Sequence, residues 1–233
     1  MISEGNVCNM IVMAFDLSSV CIGITTAEMD LYGNIKVMRS CPIIPKEFNP
    51  ETLGYMKSKK KLPTRNGELI NTYWRRGETS ISKVEKKRRD NEVRAQKDIR
   101  MLQEISKSMN DLVTAIKPDR IVAEKNEIFN GILTSVLLGK VMGTLVSITG
   151  INGIVFEEIK VTEARSIFDI PKILNQFRSG HTDKELMIVP DVTKRALREE
   201  MERLYSQYGI RFQTDDESDS CVVFHYWYNK RYM

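Results

Sequence analysis

Apolar and polar positions change rhythm several times along the chain, and each change predicts an element. Met10 to Asp16 is an almost unbroken apolar run closed by an acid, which predicts a buried strand. Val20 to Thr26 predicts a second strand after a Leu17-Ser18-Ser19 turn. Ile35 to Pro42 predicts a third, with Tyr32-Gly33-Asn34 supplying the turn between them. Three short consecutive strands predict an antiparallel meander. From Pro45 to about Ser80 the pattern dissolves into Lys59-Lys60-Lys61, Pro63, Gly67, Arg75-Arg76 and Gly77, which predicts an inserted, mobile loop. Its main apolar anchors are Phe48, Tyr55, Leu69, Ile70, Tyr73 and Trp74.

A 3.6-residue rhythm then takes over. Ile99, Leu102, Ile105, Met109, Leu112, Val113 and Ile116 mark the stripe of an amphipathic helix, with Thr79 or Ser80 as N-cap and Lys117-Pro118 as its end. Continuous from Ser80 to Ile116 it would run about 55 Å, longer than a small domain, so the Lys83–Arg100 half is expected to project or break. Arg120–Glu124 predicts a strand, Ile132 to Thr149 an apolar helix carrying Gly139 and Gly143, and Ile154–Ile159 another strand. Thr162–Phe168, Thr193–Tyr208 and Asp216–Tyr228 predict helices. The order implies an α/β fold, a mixed five-stranded sheet flanked by helices, in one domain spanning 1–233. A basic insertion at about 45–98 separates strand three from the first long helix.

Composition changes this picture only in places. The chain is 42% hydrophobic and 28% charged, as in a soluble globular protein. No stretch nears 18 uninterrupted apolar residues, so no membrane span is expected. Residues 1–9 carry Glu4 and lack a basic flank, so no secretory signal is expected and the location is intracellular and cytoplasmic (host cytoplasm for a viral protein). Cys8, Cys21, Cys41 and Cys221 show no CxxC spacing, and His181 and His225 offer no paired ligands, which argues against zinc. Charge is uneven. Lys57 to Arg100 holds fifteen Lys or Arg against six Asp or Glu, a local +9 in a chain of net +4, leaving −5 elsewhere. A basic segment on a mildly acidic body points to a polyanion partner.

Four acids carry the candidate chemistry. Asp16 and Glu124 end strands, and Asp216 and Asp219 lie three apart at the start of the last helix, on one face of it. Asp215 competes with Asp216 but points about 100° away around the helix. Each alone has a plain reading: a turn residue for Asp16, a loop acid for Glu124, dipole-favoured acids at a helix start for the last two. Together, carboxylates converging at a dry strand end need cations, and oxygen ligands suit Mg²⁺, with Mn²⁺ as a substitute.

At these residues the chain resembles a known family. Phe15-Asp16-Leu17-Ser18 running into Cys21-Ile22-Gly23 is one stretch. Val122-Ala123-Glu124 with Phe129-Asn130-Gly131 and Leu138 to Gly143 is a second. Val161 to Arg165 and Asp216 to Ser220 complete the set. In that order they are similar to RuvC-type Holliday junction resolvases of the RNase H-like superfamily. The resemblance implies a metal-dependent endodeoxyribonuclease that resolves four-way DNA junctions by paired nicks. Two Mg²⁺ ions about 4 Å apart would be held by Asp16 (bridging), Glu124, Asp216 and Asp219. It further implies a basic residue before the last motif, Lys194 with Lys184 as runner-up, and DNA contacts from Arg165 and a wedging Phe129. A homodimer on branched DNA is implied as well, with helices 132–149 and 80–116 as candidate interfaces, and neither membrane nor nucleotide cofactor. Compact bacterial members lack the 45–80 insertion, which points to a divergent, phage or viral branch. For the insertion, Tyr73, Trp74, Arg75 and Arg76 combine cation with aromatic, and Lys83, Lys86, Lys87, Arg88 and Arg89 open the basic helix. Phosphate neutralisation and stacking on an unpaired base are their expected roles, against a plain solvated helix. A broader flap, fork or three-way-junction nuclease and a non-catalytic branched-DNA-binding protein remain alternatives. An actin-like ATPase is disfavoured because no glycine-rich phosphate turn follows Asp16.

Overall fold

The first strand, β1 (Met10–Leu17), is the middle of a five-stranded sheet in a computed structural model of the chain. The structure describes residues 9–18, 21–45, 55–63, 69–75, 83–125, 132–187, 189 and 191–233. Val12, Met13, Ala14 and Phe15 are fully buried, which is why no polar residue interrupts that run. β2 (Ile22–Met29) and β3 (Ile35–Ile43) follow antiparallel, and β6 (Arg120–Lys125) and β7 (Val155–Lys160) add parallel strands on the other edge, in the order β3-β2-β1-β6-β7. The predicted mixed sheet is therefore present.

Alternation decides which residues meet the last helix, α7 (Asp215–Tyr232). Val12 and Ala14 of β1 and Val122 of β6 share a core with Cys221, Val222, Phe224 and Trp227 of α7. Because strand residues alternate between faces, Asp16 and Glu124, two positions further on, belong to the same face. Outside α7, α6 (Val192–Leu204) and α3 (Val161–Arg165) extend that layer. Val141 and Leu145 of α2 (Ile132–Asn152) are buried outside that cluster, and α2 touches β1 and β7. An 18-residue stretch of α2, Ser135–Asn152, has mean hydropathy 1.3, enough by length and composition to cross a membrane. Its buried Val141, Met142, Leu145 and Ile148 are what a helix covering a sheet also requires. One further helix, α4 (Ile170–Ser179), is capped by Asp169 and followed by the short α5 (Asp183–Met187). No element had been expected between 168 and 193.

Residues 45–105 form a second compact unit, separate from 1–44 with 106–233. One expectation fails there. The segment expected to be a loop contains an antiparallel hairpin, β4 (Tyr55–Pro63) with β5 (Leu69–Arg75), in a sheet of its own. Consecutive lysines concealed the period-two pattern of β4. Of the two outcomes expected for the basic helix, to project or to break, the break does not occur. α1 (Lys83–Ile116) is continuous over 34 residues, about 51 Å. Its uninterrupted run of good helix formers, with no Gly or Pro, sustains it through the unit boundary.

Candidate active site

Asp16 and Glu124 sit side by side because of strand register. β1 and β6 run parallel with Phe15 opposite Ala123, and the two acids occupy the next step. Ser18 links the chain just beyond to Cys21, whose N–H donates to Ser18 Oγ at 2.9 Å, so β1 turns directly into β2. Gly23, the partner of Asp16 in the ladder, faces the start of α7 at such short range that a Cβ there would lie 1.8 Å from the Asp216 carbonyl oxygen. Only glycine lets that backbone approach. The motif containing Gly23 was legible in sequence; its role as the seat of α7 was not.

The start of α7 is set by a capping box. Thr214 Oγ1 accepts from the Glu217 N–H at 3.2 Å, and Glu217 Oε2 accepts from the Thr214 N–H at 2.8 Å. Ser40 Oγ donates to the same buried carboxylate at 2.9 Å, holding the helix to β3. Thr25 and Ser220 hydroxyls meet at 2.8 Å and tie it to β2. This frame separates the three neighbouring aspartates. Asp215 turns outward to Arg198, 3.3 Å away. Asp216 and Asp219 turn toward Asp16 and Glu124, one helical turn apart. The cap, whose Thr-x-x-Glu signature was present in the sequence, thus sets Asp216 rather than Asp215 near the strand-end acids.

Basic side chains reach into the cluster. Lys194 Nζ donates to Asp219 Oδ2 at 2.7 Å, and Arg165 Nη2 donates to Asp219 Oδ1 at 3.4 Å. Asp191 caps α6 through the Lys194 N–H, which fixes where that lysine leaves the helix. Lys194 was expected at this place. Arg165, expected to contact DNA, stands as a half-buried counter-ion of Asp219, with its Nε buried and without a hydrogen-bond partner.

Electrostatics show how strained the group is. Burial, reinforced by the Glu124, Asp219 and Asp216 charges and only partly relieved by Lys194, pushes the Asp16 carboxyl well above its ordinary range. Burial and Asp219 push Glu124 up to about 7, against the opposing pull of Arg165 and Lys194. Lys194 is itself raised: burial would lower it, but the Asp219 carboxylate outweighs that. The donor set is all oxygen, which fits a hard divalent cation. Among the described residues, however, no group of three Asp, Glu, His or Cys side chains is gathered tightly enough to hold an ion as it stands. Lys194 and Arg165 occupy both oxygens of Asp219.

The other expected site residues fall differently. Arg89 is 6% exposed and bonds Glu85 Oε1, one turn back on the same helix, at 2.8 Å. Lys87 and Arg88 are exposed and Lys86 is half-buried. For Tyr73, Trp74, Arg75 and Lys83 the backbone alone is described. Arg76 and the wedge candidate Phe129 lie outside the described residues, as does the side chain of Lys184.

No family model matches the chain, and no curated protein matches it by sequence. Among solved structures it is similar to Thermus thermophilus RuvC in complex with a Holliday junction substrate. That match has 7% identity and TM-score 0.50, covering 96% of this chain and 98% of that one. A second Thermus thermophilus RuvC structure aligns at 9% identity and TM-score 0.48, covering 95% and 96%. The yeast mitochondrial Holliday junction resolvase Ydc2 aligns at 11% identity and TM-score 0.44, covering 93% and 78%. The fold is the RNase H-like fold of the RuvC resolvases.

Proposed function

We propose that this chain is a divalent-metal-dependent endonuclease acting on branched DNA, with four-way junctions as its main substrate. The observation that carries the reading is the convergence of Asp16, Glu124, Asp216 and Asp219 on one face of a RuvC-type sheet, where the Asp216 and Asp219 charges add to burial in raising the Asp16 and Glu124 carboxyls. Such a group is costly in a folded protein and has an evident use once cations are supplied.

Asp16, Glu124, Asp216 and Asp219 would hold Mg²⁺ or Mn²⁺. The bound metal would supply Lewis-acid stabilisation of the phosphoryl oxygens and a water of lowered pKa. The chain's own part is positional. The strand ends and the capped start of α7 bring the carboxylates to one place, and binding a cation would draw Asp219 away from Lys194 and Arg165. Lys194 Nζ, already within the cluster, keeps a positive charge beside the phosphodiester and favours charge developing on its leaving 3′ oxygen.

Paired nicks need two sites, and we infer a homodimer. Support comes from α2, which exposes Val136, Gly139, Gly143, Val146 and Gly150 at alternating three- and four-residue steps. A Cβ at Gly139, Gly143 or Gly150 would meet nothing within 4 Å, leaving room for a close helix–helix approach.

The test is cleavage of a synthetic four-way junction, a flap and linear duplex, in Mg²⁺ and in EDTA. Wild type should nick the junction at symmetric positions in Mg²⁺ alone. Asp16→Asn should bind the junction but cut it about 10³-fold more slowly or worse, since several kcal/mol of transition-state stabilisation rest on such ligands. Undiminished cutting by that variant would sink the assignment. Preferential flap cutting would shift the substrate to the broader class. Binding without cutting by wild type would leave a branched-DNA-binding protein.

A further inference from the structure

The β4–β5 hairpin carries a charge arrangement that the acid cluster does not use. Cross-strand partners lie on the same face of a two-stranded ribbon, so the register alone sorts the residues. Tyr55 pairs with Arg75, Lys57 with Tyr73, and Lys61 with Asn71. Position 57 is two from 55 and four from 61, and 73 and 71 step back from 75 by twos. These three pairs therefore share one face. Met56 pairs with Trp74 and Leu62 with Ile70, at the intervening positions, and these pairs share the other.

One face thus carries the paired cations with the tyrosines and Asn71 and runs out at the Pro63–Leu69 pair, while the Met56–Trp74 and Leu62–Ile70 pairs lie on the other. The first two pairs of the cation-bearing face each set a cation opposite a tyrosine, in crossed order. The two strands together contain Lys57, Lys59, Lys60, Lys61 and Arg75, and no acid. The hairpin forms a two-stranded sheet of its own. The register shifts between Lys57 and Lys61, an irregularity that tightens the twist of a ribbon. A twisted two-stranded ribbon suits the groove and backbone of a duplex. Cations sorted to one face of a ribbon whose strands contain no acid call for a polyanion, and tyrosines on that face suit sugar and base edges.

On the branched-DNA reading above, we propose that the β4–β5 hairpin is a nucleic-acid-binding ribbon: its register sets Lys57, Lys61 and Arg75 on one face with Tyr55, Asn71 and Tyr73, and that face tracks the phosphates of a duplex arm. The ribbon adds affinity without sequence preference. It also divides Tyr73 from Trp74: Tyr73 belongs to the DNA face, and Trp74 to the opposite one.

The experiment measures DNA binding by fluorescence anisotropy with the full chain in EDTA, so that nothing is cut. A labelled four-way junction and a linear duplex of one arm's sequence are titrated across about 50–200 mM salt. The variant K57Q/K61Q/R75Q should bind both about tenfold more weakly, with the slope of log affinity against log salt shallower by about 2–3. K57R/K61R/R75K should retain wild-type binding, which separates lost charge from lost structure. Trp74→Phe should leave the slope unchanged. An unaltered slope in the Gln triple variant would overturn the proposal. So would equal weakening in the charge-retaining variant, or binding to anionic phosphatidylserine vesicles in place of DNA. Failure of the nuclease reading looks different: wild type would bind through the ribbon but cut nothing in Mg²⁺. If the ribbon alone is wrong, junction cutting persists and the Gln triple variant keeps its full salt slope.

Discussion

The acid cluster and the basic insertion are opposite solutions to placing charge. At the cluster, four carboxylates are brought to the covered end of a sheet, two of them buried to 7% and 5% exposure, and the fold bears their repulsion. In the insertion, cations are spread over a ribbon face and over the solvent side of α1, where each costs little and contributes little. Buried charge has to be fixed by many contacts at once: register, a glycine seat, a capping box, and two counter-ions on Asp219. Surface charge needs only a regular backbone to display it. Substitutions should therefore act all-or-none at the first region and by increments at the second.

The sharpest break should come from Gly23→Ala. The new Cβ would meet the Asp216 backbone at 1.8 Å, so α7 must move away from β2. A loss of about 3 kcal/mol in stability is expected by denaturant melting, with cleavage abolished. Gly139→Ala is the matching control, because nothing lies within 4 Å of it. It should leave folding intact or slightly improved, and weaken only self-association in analytical ultracentrifugation. Equal losses at both glycines would contradict the assigned seat of α7.

Next in size is the pH dependence of the metal-free protein. Glu124 titrates near 7 in the fold against 4.5 ordinarily, so between those values the folded chain holds a proton that the unfolded chain has released. This group's contribution to stability therefore falls as pH rises from about 4.5 to 7 and is level above. Glu124→Gln should remove that fall. In EDTA at pH 8 it should melt higher than wild type by the equivalent of about 2–3 kcal/mol, while cutting no DNA. A lower melting point at pH 8 would show that Glu124 stabilises the empty fold rather than straining it.

The smallest effects belong to α1, and there the comparison can be sharpened within one turn. Lys87→Ala should leave stability unchanged and make the salt dependence of DNA binding shallower by about 1. Arg89→Ala, two residues on, should do the reverse, because its guanidinium is buried on Glu85. Matching salt slopes for the two variants would mean that both side chains meet DNA.

The same contrast explains what could be read from the chain. The main sheet was legible because buried strands and amphipathic helices write apolar rhythm directly into sequence. Asp16 and Glu124 stood out because each ends such a rhythm. Pairing of the two acids depends on strand register, which no local pattern encodes. The hairpin was missed because lysines at successive positions of β4 erased the alternation, and α4 because its apolar face is carried by a few residues such as Ile173 and Phe177. Arg165 looked like a surface charge, and its commitment to Asp219 is a property of tertiary packing invisible to charge counting; the Glu85–Arg89 pair is an i,i+4 spacing on one helix, and only the burial of Arg89 was hidden.

The measurement that bears most directly on the acid cluster is a thermal melt with increasing Mn²⁺ or Mg²⁺, starting from EDTA, for wild type and Asp16→Asn. Relief of carboxylate repulsion predicts that wild type begins lower than the variant and climbs with metal, by linkage to binding, while the variant begins higher and stays flat. A wild-type melting point indifferent to metal, or an Asp16→Asn protein that climbs just as far, would contradict the account.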